Sequence, residues 1–221
     1  PDAEHVSVAL ELRRLEPVVT ALVERGARVS VDTWQPEVIA AVISMGVAFV
    51  NDVTALRDSR SVQALRDSRV GVVLMHSTAP GARAVRADAL EPLSGAGRDP
   101  LEHIAAFFER RLSALEAAGL ARERMVLDPG MGFFLSPVPG PSLTVLKHLG
   151  RLRALGRPVL VSTSRKSFLG AVTGRSVHEL GAATLASELH AWRQGVDYIR
   201  THDARALRDA LWHNSLSVAT A

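Results

Sequence analysis

The chain has 221 residues, 47% of them hydrophobic, 22% charged and 5% aromatic, with a formal net charge of +3. That length suits one domain with a sizeable core, and no apolar run reaches the roughly 18 residues of a membrane span. Cysteine is absent, which excludes disulfides, thiolate metal sites and cysteine nucleophiles and is compatible with a cytoplasmic location.

The first element is an amphipathic helix over 5–25, because Val8, Leu12, Leu15, Val19 and Leu22 recur at helical spacing. A β-branched run, "RVSVDT" (28–33), reads as a strand. "QPEVIAAVISMG" (35–46) reads as a helix with Pro36 in its first turn and Gly46 as its stop. "AFVNDVT" (48–54) is the next strand, 61–68 the next helix, and "VGVVLMHS" (70–77) the third strand. A Gly/Pro/Ala/Arg-rich loop fills about 78–98, and a long amphipathic helix covers 100–119. "RMVLDPG" (124–130) is a strand, 142–155 a helix, "PVLVSTS" (158–164) a strand and 179–194 a helix. "DYIRTH" (197–202) is the last strand and 204–216 the last helix.

Strands rich in Val, Leu and Ile, each followed by a helix, predict an α/β fold of parallel strands covered by helices. Six strands would fit an open doubly wound sheet. A TIM (β/α)8 barrel needs two more, and about 250 residues. The opening helix has no strand before it and the chain does not begin with methionine. Both favour a barrel whose first two strands are missing, so the expectation is a single, N-terminally incomplete barrel domain over 1–221.

Polar residues gather at the C-terminal ends of the strands: Asp32 and Thr33; Asn51 and Asp52; Met75, His76 and Ser77; Asp128 and Gly130; Ser162, Ser164, Arg165 and Lys166; Arg200, His202 and Asp203. In a parallel barrel these ends meet at the active-site face. Thr33 or Asp203 alone could equally be a helix cap or turn former. Asp32, Asn51 and Asp128 suit a flat, nitrogen-rich heterocycle, and Lys166, Arg200 and His202 suit an anion such as a phosphate. No Ser/His/acid ordering and no His/Asp/Glu cage stands out, so a metal would arrive with a phosphate. Basic residues are scattered and not interleaved with aromatics, so no nucleic-acid surface is expected, and no membrane one. "LDPGMGF" (127–133) matches neither the P-loop nor the dinucleotide fingerprint.

Lysine occurs only at Lys147 and Lys166; every other basic side chain besides histidine is arginine. Lys147 falls in a helical pattern as a surface residue. Lys166, in "VSTSRKSFLG" (161–170), follows a strand end, where a compact, flexible point charge differs in use from a planar guanidinium. Its neighbour Arg165 reads as a structural ion-pair partner.

Six ordered segments resemble dihydropteroate synthase: "VSVDTWQPEV", "FVNDVTA", "VVLMHS", "VLDPGMGF", "VSTSRKSFLG" and "YIRTHD". The resemblance implies a (β/α)8 barrel that joins 6-hydroxymethyl-7,8-dihydropterin diphosphate to p-aminobenzoate and releases pyrophosphate, with Mg²⁺ bound alongside the diphosphate. It implies catalytic roles for Lys166, Asp128, Arg200 and His202. Asp32, Asn51, Met75, Asp128 and Lys166 would bind the pterin, and Arg200, His202 and Ser164 the diphosphate. Phe133 and Ser167 would line the p-aminobenzoate side. No metal ligand is expected in this chain, because the family's metal-contacting asparagine would precede Pro1. A homodimer is implied for the full-length protein.

Where most of the family continue with a glycine and a lysine, this chain reads "FFLSPVPGPSL" (133–143). With "SRKSFLG" and "ASELHA", that resembles the sulfonamide-insensitive Sul-type enzymes, and Phe133, Phe134 and Phe168 are expected to crowd the p-aminobenzoate rim. The competing readings are a pterin-binding methyltransferase domain of related fold and a non-catalytic pterin-binding fragment. The first has no diphosphate to hold, which the Lys166 segment and the Arg200/His202 pair argue against.

Overall fold

The computed structural model describes residues 6–78 and 99–218. All but the first residue of the loop expected at about 78–98 lies outside them. In chain order the elements are α1 (Val8–Glu24), β1 (Ser30–Asp32), α2 (Pro36–Ser44), β2 (Phe49–Asp52), α3 (Ser59–Arg66), β3 (Gly71–Met75), α4 (Pro100–Ala117) and β4 (Met125–Asp128). They continue with α5 (Pro139–Lys147), β5 (Leu160–Val161), α6 (Ser167–Thr173), α7 (Gly181–Arg193), β6 (Tyr198–Ile199) and α8 (Ala204–Val218).

Each predicted strand forms, shorter than its apolar run. Strands β1 to β4 pair in parallel in chain order, and β5 pairs in parallel with β6. A parallel bridge between Leu127 and Val159 joins the two groups. The result is a wall of six parallel strands in chain order with helices packed outside: the architecture of a (β/α)8 barrel.

Strand register sorts the side chains. Val31, Val50, Val72, Leu74, Met125, Leu127 and Val161 point outward into one core with Ile39, Ile104, Phe108, Leu112 and Leu149. Burying each of these stabilises the fold by about 1.5–3 kcal/mol. The alternate residues face inward, since side chains two apart share a face. Near the N-terminal ends Phe49, Val73, Val126, Leu160 and Tyr198 line an inner cavity of about 260 Å³. Phe49 lies over Gly71, where a Cβ would come 2.4 Å from its ring, and meets Tyr198 edge-on at 6.4 Å.

Several boundaries differ from the sequence reading. The helix expected at 142–155 is two elements: α5 ends at Lys147, and Leu149–Leu155 is 3₁₀. Helix α3 starts at Ser59, two residues early, because the Asp58 side chain caps the Arg60 N–H. Helix α7 starts at Gly181, after a 3₁₀ turn (Val177–Glu179) with a Ser176/Glu179 capping box. Helix α6 was not expected at all, so the described residues hold eight helices, not seven.

Candidate active site

The inner face turns polar where the strands end. Register places Asp32 across from Asn51 and Met75 across from Asp128. Asn51 is buried, and its Nδ2 donates to Asp32 Oδ2 at 2.9 Å. Arg200, just past β6, donates from Nη1 to the same oxygen at 3.2 Å. That engages one of the amide's two N–H donors and leaves Asn51 Oδ1 buried with no hydrogen-bond partner. An orphaned buried acceptor costs about 1–3 kcal/mol, and it asks for a donor from a ligand.

Asp128 is 2% exposed. Its Oδ1 accepts the Gly130 N–H at 2.9 Å. Burial pushes its carboxyl above the ordinary carboxylate range, against the pull of the Gly130 N–H, Arg200 and Lys166. The Lys166 ammonium is pushed below the usual lysine range, again chiefly by burial, with Arg200 adding to the fall and Asp128 opposing it. Both shifts have one cause: two charged groups sit in a site too dry for them. A ligand that donates to Asp128 and accepts from Lys166 relieves both.

Lys166 caps the N-terminus of α6, its backbone N–H bonded to Thr163 O at 3.1 Å. Behind it lies Ser164, buried, whose Oγ is 2.8 Å from His202 Nδ1 and accepts the His202 N–H at 3.2 Å. The serine thus holds both the ring and the backbone of His202. Buried hydroxyls of α7 hold the strand end from outside: Thr184 Oγ1 accepts the Arg165 N–H and Ser187 Oγ donates to Thr163.

Beside Lys166 opens a second cavity of about 390 Å³, lined by Phe133, Phe134, Ser167, Arg175 and Leu180 among others. Phe133 is 36% exposed on its wall. The structure thus brings together Asp32, Asn51, Met75, Asp128, Lys166 and Arg200, sets the Ser164–His202 pair beside Arg200, and puts Phe133 and Ser167 in the adjoining cavity.

Other residues at the strand ends hold structure. Asp52 points outward and accepts from the backbone of Thr54 and Leu56, locking a turn in which Ala55 and Leu56 have positive φ. His76 is 1% exposed against Phe107, Phe108 and His103, and burial pulls its pKa down to about 4, so it stays neutral. Asp203 accepts the Ala206 N–H as a cap for α8, and Thr33 Oγ1 accepts the Gln35 N–H.

Two expectations need correction. Arg165 makes no ion pair among the described residues; it is an exposed residue in the left-handed region (φ 56°) that turns the chain after β5. Phe168 is not on any rim: it is 3% exposed, on the core face of α6. Sequence reasoning also missed Arg175, Val177 and Leu180 on the second cavity, because only the fold of α6 brings them round.

Gly130 ties the site loop to β3. It has φ +69°, and a Cβ there would stand 2.2 Å from the His76 carbonyl oxygen. Gly130→Ala is expected to destabilise the protein by at least about 1–3 kcal/mol from strain alone. Thermal unfolding of the variant measures this, and an unchanged Tm would show that the loop relaxes freely.

A family model described as pterin binding enzyme matches residues 1–202. Over 212 residues the chain is 48% identical to dihydropteroate synthase type-2 of Escherichia coli, covering 96% of the chain and 76% of that protein. It is 46% identical to dihydropteroate synthase type-1 of Escherichia coli, covering 96% and 74%. The structure of Xanthomonas albilineans dihydropteroate synthase in complex with 7,8-dihydropteroate superposes with a TM-score of 0.85 at 37% identity, covering 98% of the chain and 77% of that one.

Proposed function

Because the chain belongs to the dihydropteroate synthases, we propose how its own residues carry the reaction that joins a dihydropterin diphosphate to p-aminobenzoate. One observation carries the assignment of the pterin subsite: the orphaned, buried Asn51 Oδ1 stands on the same inner face as the buried Asp128 carboxyl, whose Oδ1 takes the Gly130 N–H. These two acceptor groups suit the donor edge of a pterin's amidine-like ring. Asp32 adds a negative charge beside them, Met75 gives the ring an apolar wall, and Lys166 supplies a donor to the ring's acceptor atoms.

The exocyclic C–O bond to the diphosphate breaks first. The electron pair leaves with pyrophosphate, which Arg200, the His202 ring and the Ser164 that holds that ring receive. Positive charge spreads into the pterin, where the Asp128 and Asp32 carboxylates favour it. The amine nitrogen of p-aminobenzoate, held in the cavity of Phe133 and Ser167, then donates its lone pair to the exocyclic carbon and gives up a proton. The enzyme needs no covalent intermediate; positioning and electrostatics suffice.

Among the described residues no three His, Asp or Glu side chains converge on a cation site. This inner face therefore does not fit a protein-built Mg²⁺ cage, and Mg²⁺ enters the proposal only as a companion of the substrate's diphosphate. Among the described residues, no helix is long and apolar enough to cross a membrane. For the full-length protein a cytoplasmic homodimer completes the proposal, with sedimentation as the check on its oligomeric state.

A pyrophosphate-release assay with both substrates tests the reaction. Release that requires p-aminobenzoate supports it; pterin binding without release, or methyl transfer in its place, overturns it. Reduced sulfonamide sensitivity also belongs to the proposal, resting on the exposed ring of Phe133 on the cavity wall, which Phe134 shares. A sulfonamide extends past the end of p-aminobenzoate, where that ring stands. Phe133→Ala is expected to strengthen sulfonamide inhibition by roughly 10-fold or more while shifting the KM for p-aminobenzoate far less. Equal shifts in both constants would remove Phe133 from discrimination.

A further inference from the structure

Phe134 stands apart from the other two rings of its neighbourhood. Phe133 is at a cavity mouth and Phe168 is in the core, but the face of the half-buried Phe134 ring lies 5.4 Å from Lys166 Nζ. That is within the range over which the quadrupole of an aromatic face attracts a cation. Building on the synthase reading above, we propose that Phe134 is a positioning residue for Lys166, keeping its ammonium charged and aimed at the pterin.

The ring is held in place by the backbone. The Thr78 N–H donates to Phe134 O at 2.9 Å, and Thr78 Oγ1 donates to the carbonyls of Phe134 and Leu135 at 3.3 and 3.2 Å. The Leu135 and Ser136 N–H groups both return to Gly132 O at 2.9 Å, and Ser142 Oγ accepts the Gly132 N–H at 3.0 Å. The end of β3 thus fixes a loop that follows β4, and that loop presents its ring to a lysine that follows β5. Gly132 completes the fit: a Cβ there would come 3.7 Å from Lys166 Cβ and Cδ, so the lysine stem runs close against bare backbone.

The need for such a ring follows from the other groups around Lys166. Asp128 on β4 and Asp32 on β1 favour its charge, Arg200 after β6 opposes it, and Arg165 and Arg175 share the cavity wall with it. Burial opposes the charge most of all. A further carboxylate would restore the charge but would occupy the ammonium's N–H donors and repel electron-rich substrate atoms. An aromatic face favours the charge from one side and leaves donors free on the other.

The chain's two lysines make the test direct. Protein labelled with ¹³C at lysine gives signals from Lys147 and Lys166 only, and Lys147→Arg assigns them. In Phe134→Leu the Lys166 titration is expected to move down by roughly 0.5–1 pH unit, while exposed Lys147 stays put. The alkaline limb of kcat/KM should move down with it. Phe134→Tyr, which keeps the face, should restore both. Phe134→Met serves in place of the leucine variant if that one does not fold, as judged by circular dichroism. A Lys166 titration unmoved by losing the ring, or moved equally by Phe134→Tyr, overturns the proposal. Lys166→Met separates this from the parent reading: full turnover without the lysine would sink the synthase assignment of Lys166, while the titration still judges Phe134.

Discussion

Asp128→Asn is expected to weaken pterin binding by about 10- to 150-fold, the equivalent of losing one charge-assisted hydrogen bond of about 1.5–3 kcal/mol. The amide keeps the size of the carboxyl and can still turn its oxygen to the Gly130 N–H that Asp128 Oδ1 accepts now. It then presents an NH2 where a pterin donor expects an acceptor. The same change should leave the fold at least as stable. Burial raises the Asp128 pKa above its ordinary 3.8, so ionising this group costs folding free energy as pH rises past about 4, and the cost is complete above the raised value. Asparagine never incurs it. The variant's Tm should match the wild type near pH 3 and exceed it near pH 7. Calorimetry with a pterin ligand and a melt at the two pH values read both effects. Undiminished affinity would take Asp128 out of the subsite, and a Tm deficit at neutral pH would mean its charge is compensated in the folded protein.

Lys166→Arg conserves charge and is nevertheless expected to cost about 100-fold in kcat/KM, the scale of an ångström-sized misplacement in a reacting pair. A guanidinium is bulkier than the buried ammonium that stands 5.4 Å from the Phe134 ring, and its donors fan out in a plane. The fold should be little affected, because Lys166 lies beyond β5 as the cap of a seven-residue helix. Turnover that survives in a normally folded variant would show that any cation serves there.

Much of this was legible in the chain. Val-, Leu- and Ile-rich strands separated by helical periodicity can bury both faces only in a parallel wall, and the polar residue at each strand end then has one place to go. Lys166 was visible as a lysine in an arginine-rich chain. Phe168 was misjudged because neighbours in sequence on a helix point to different faces, and the face of α6 depends on packing against α5 and α7. That helix escaped notice because it has seven residues with Gly170 among them. The 3₁₀ segment Leu149–Leu155 carries its leucines at spacings that also suit an α-helix, so periodicity could not separate the two. Arg165 looked like half of an ion pair because composition says nothing of φ. The contact between Phe134 and Lys166 spans two loops ordered by Thr78 from a third, and no local pattern announces it.

The strand order also bears on how the molecule assembles. Every sheet neighbour is the next strand in the chain, so the wall can grow by short-range docking, one unit on the last, which is the cheap route for loop closure. The site is the exception. Its Asp32 and Arg200 are 168 residues apart, one at the end of β1 and the other just past β6. Helix content and a packed core can therefore develop while the pocket is still open, and the pocket comes into being only when the two ends of the wall arrive together. A ligand that grips both ends ties them by mass action. Substrate binding then reports on completed folding more strictly than any spectroscopic measure of secondary structure.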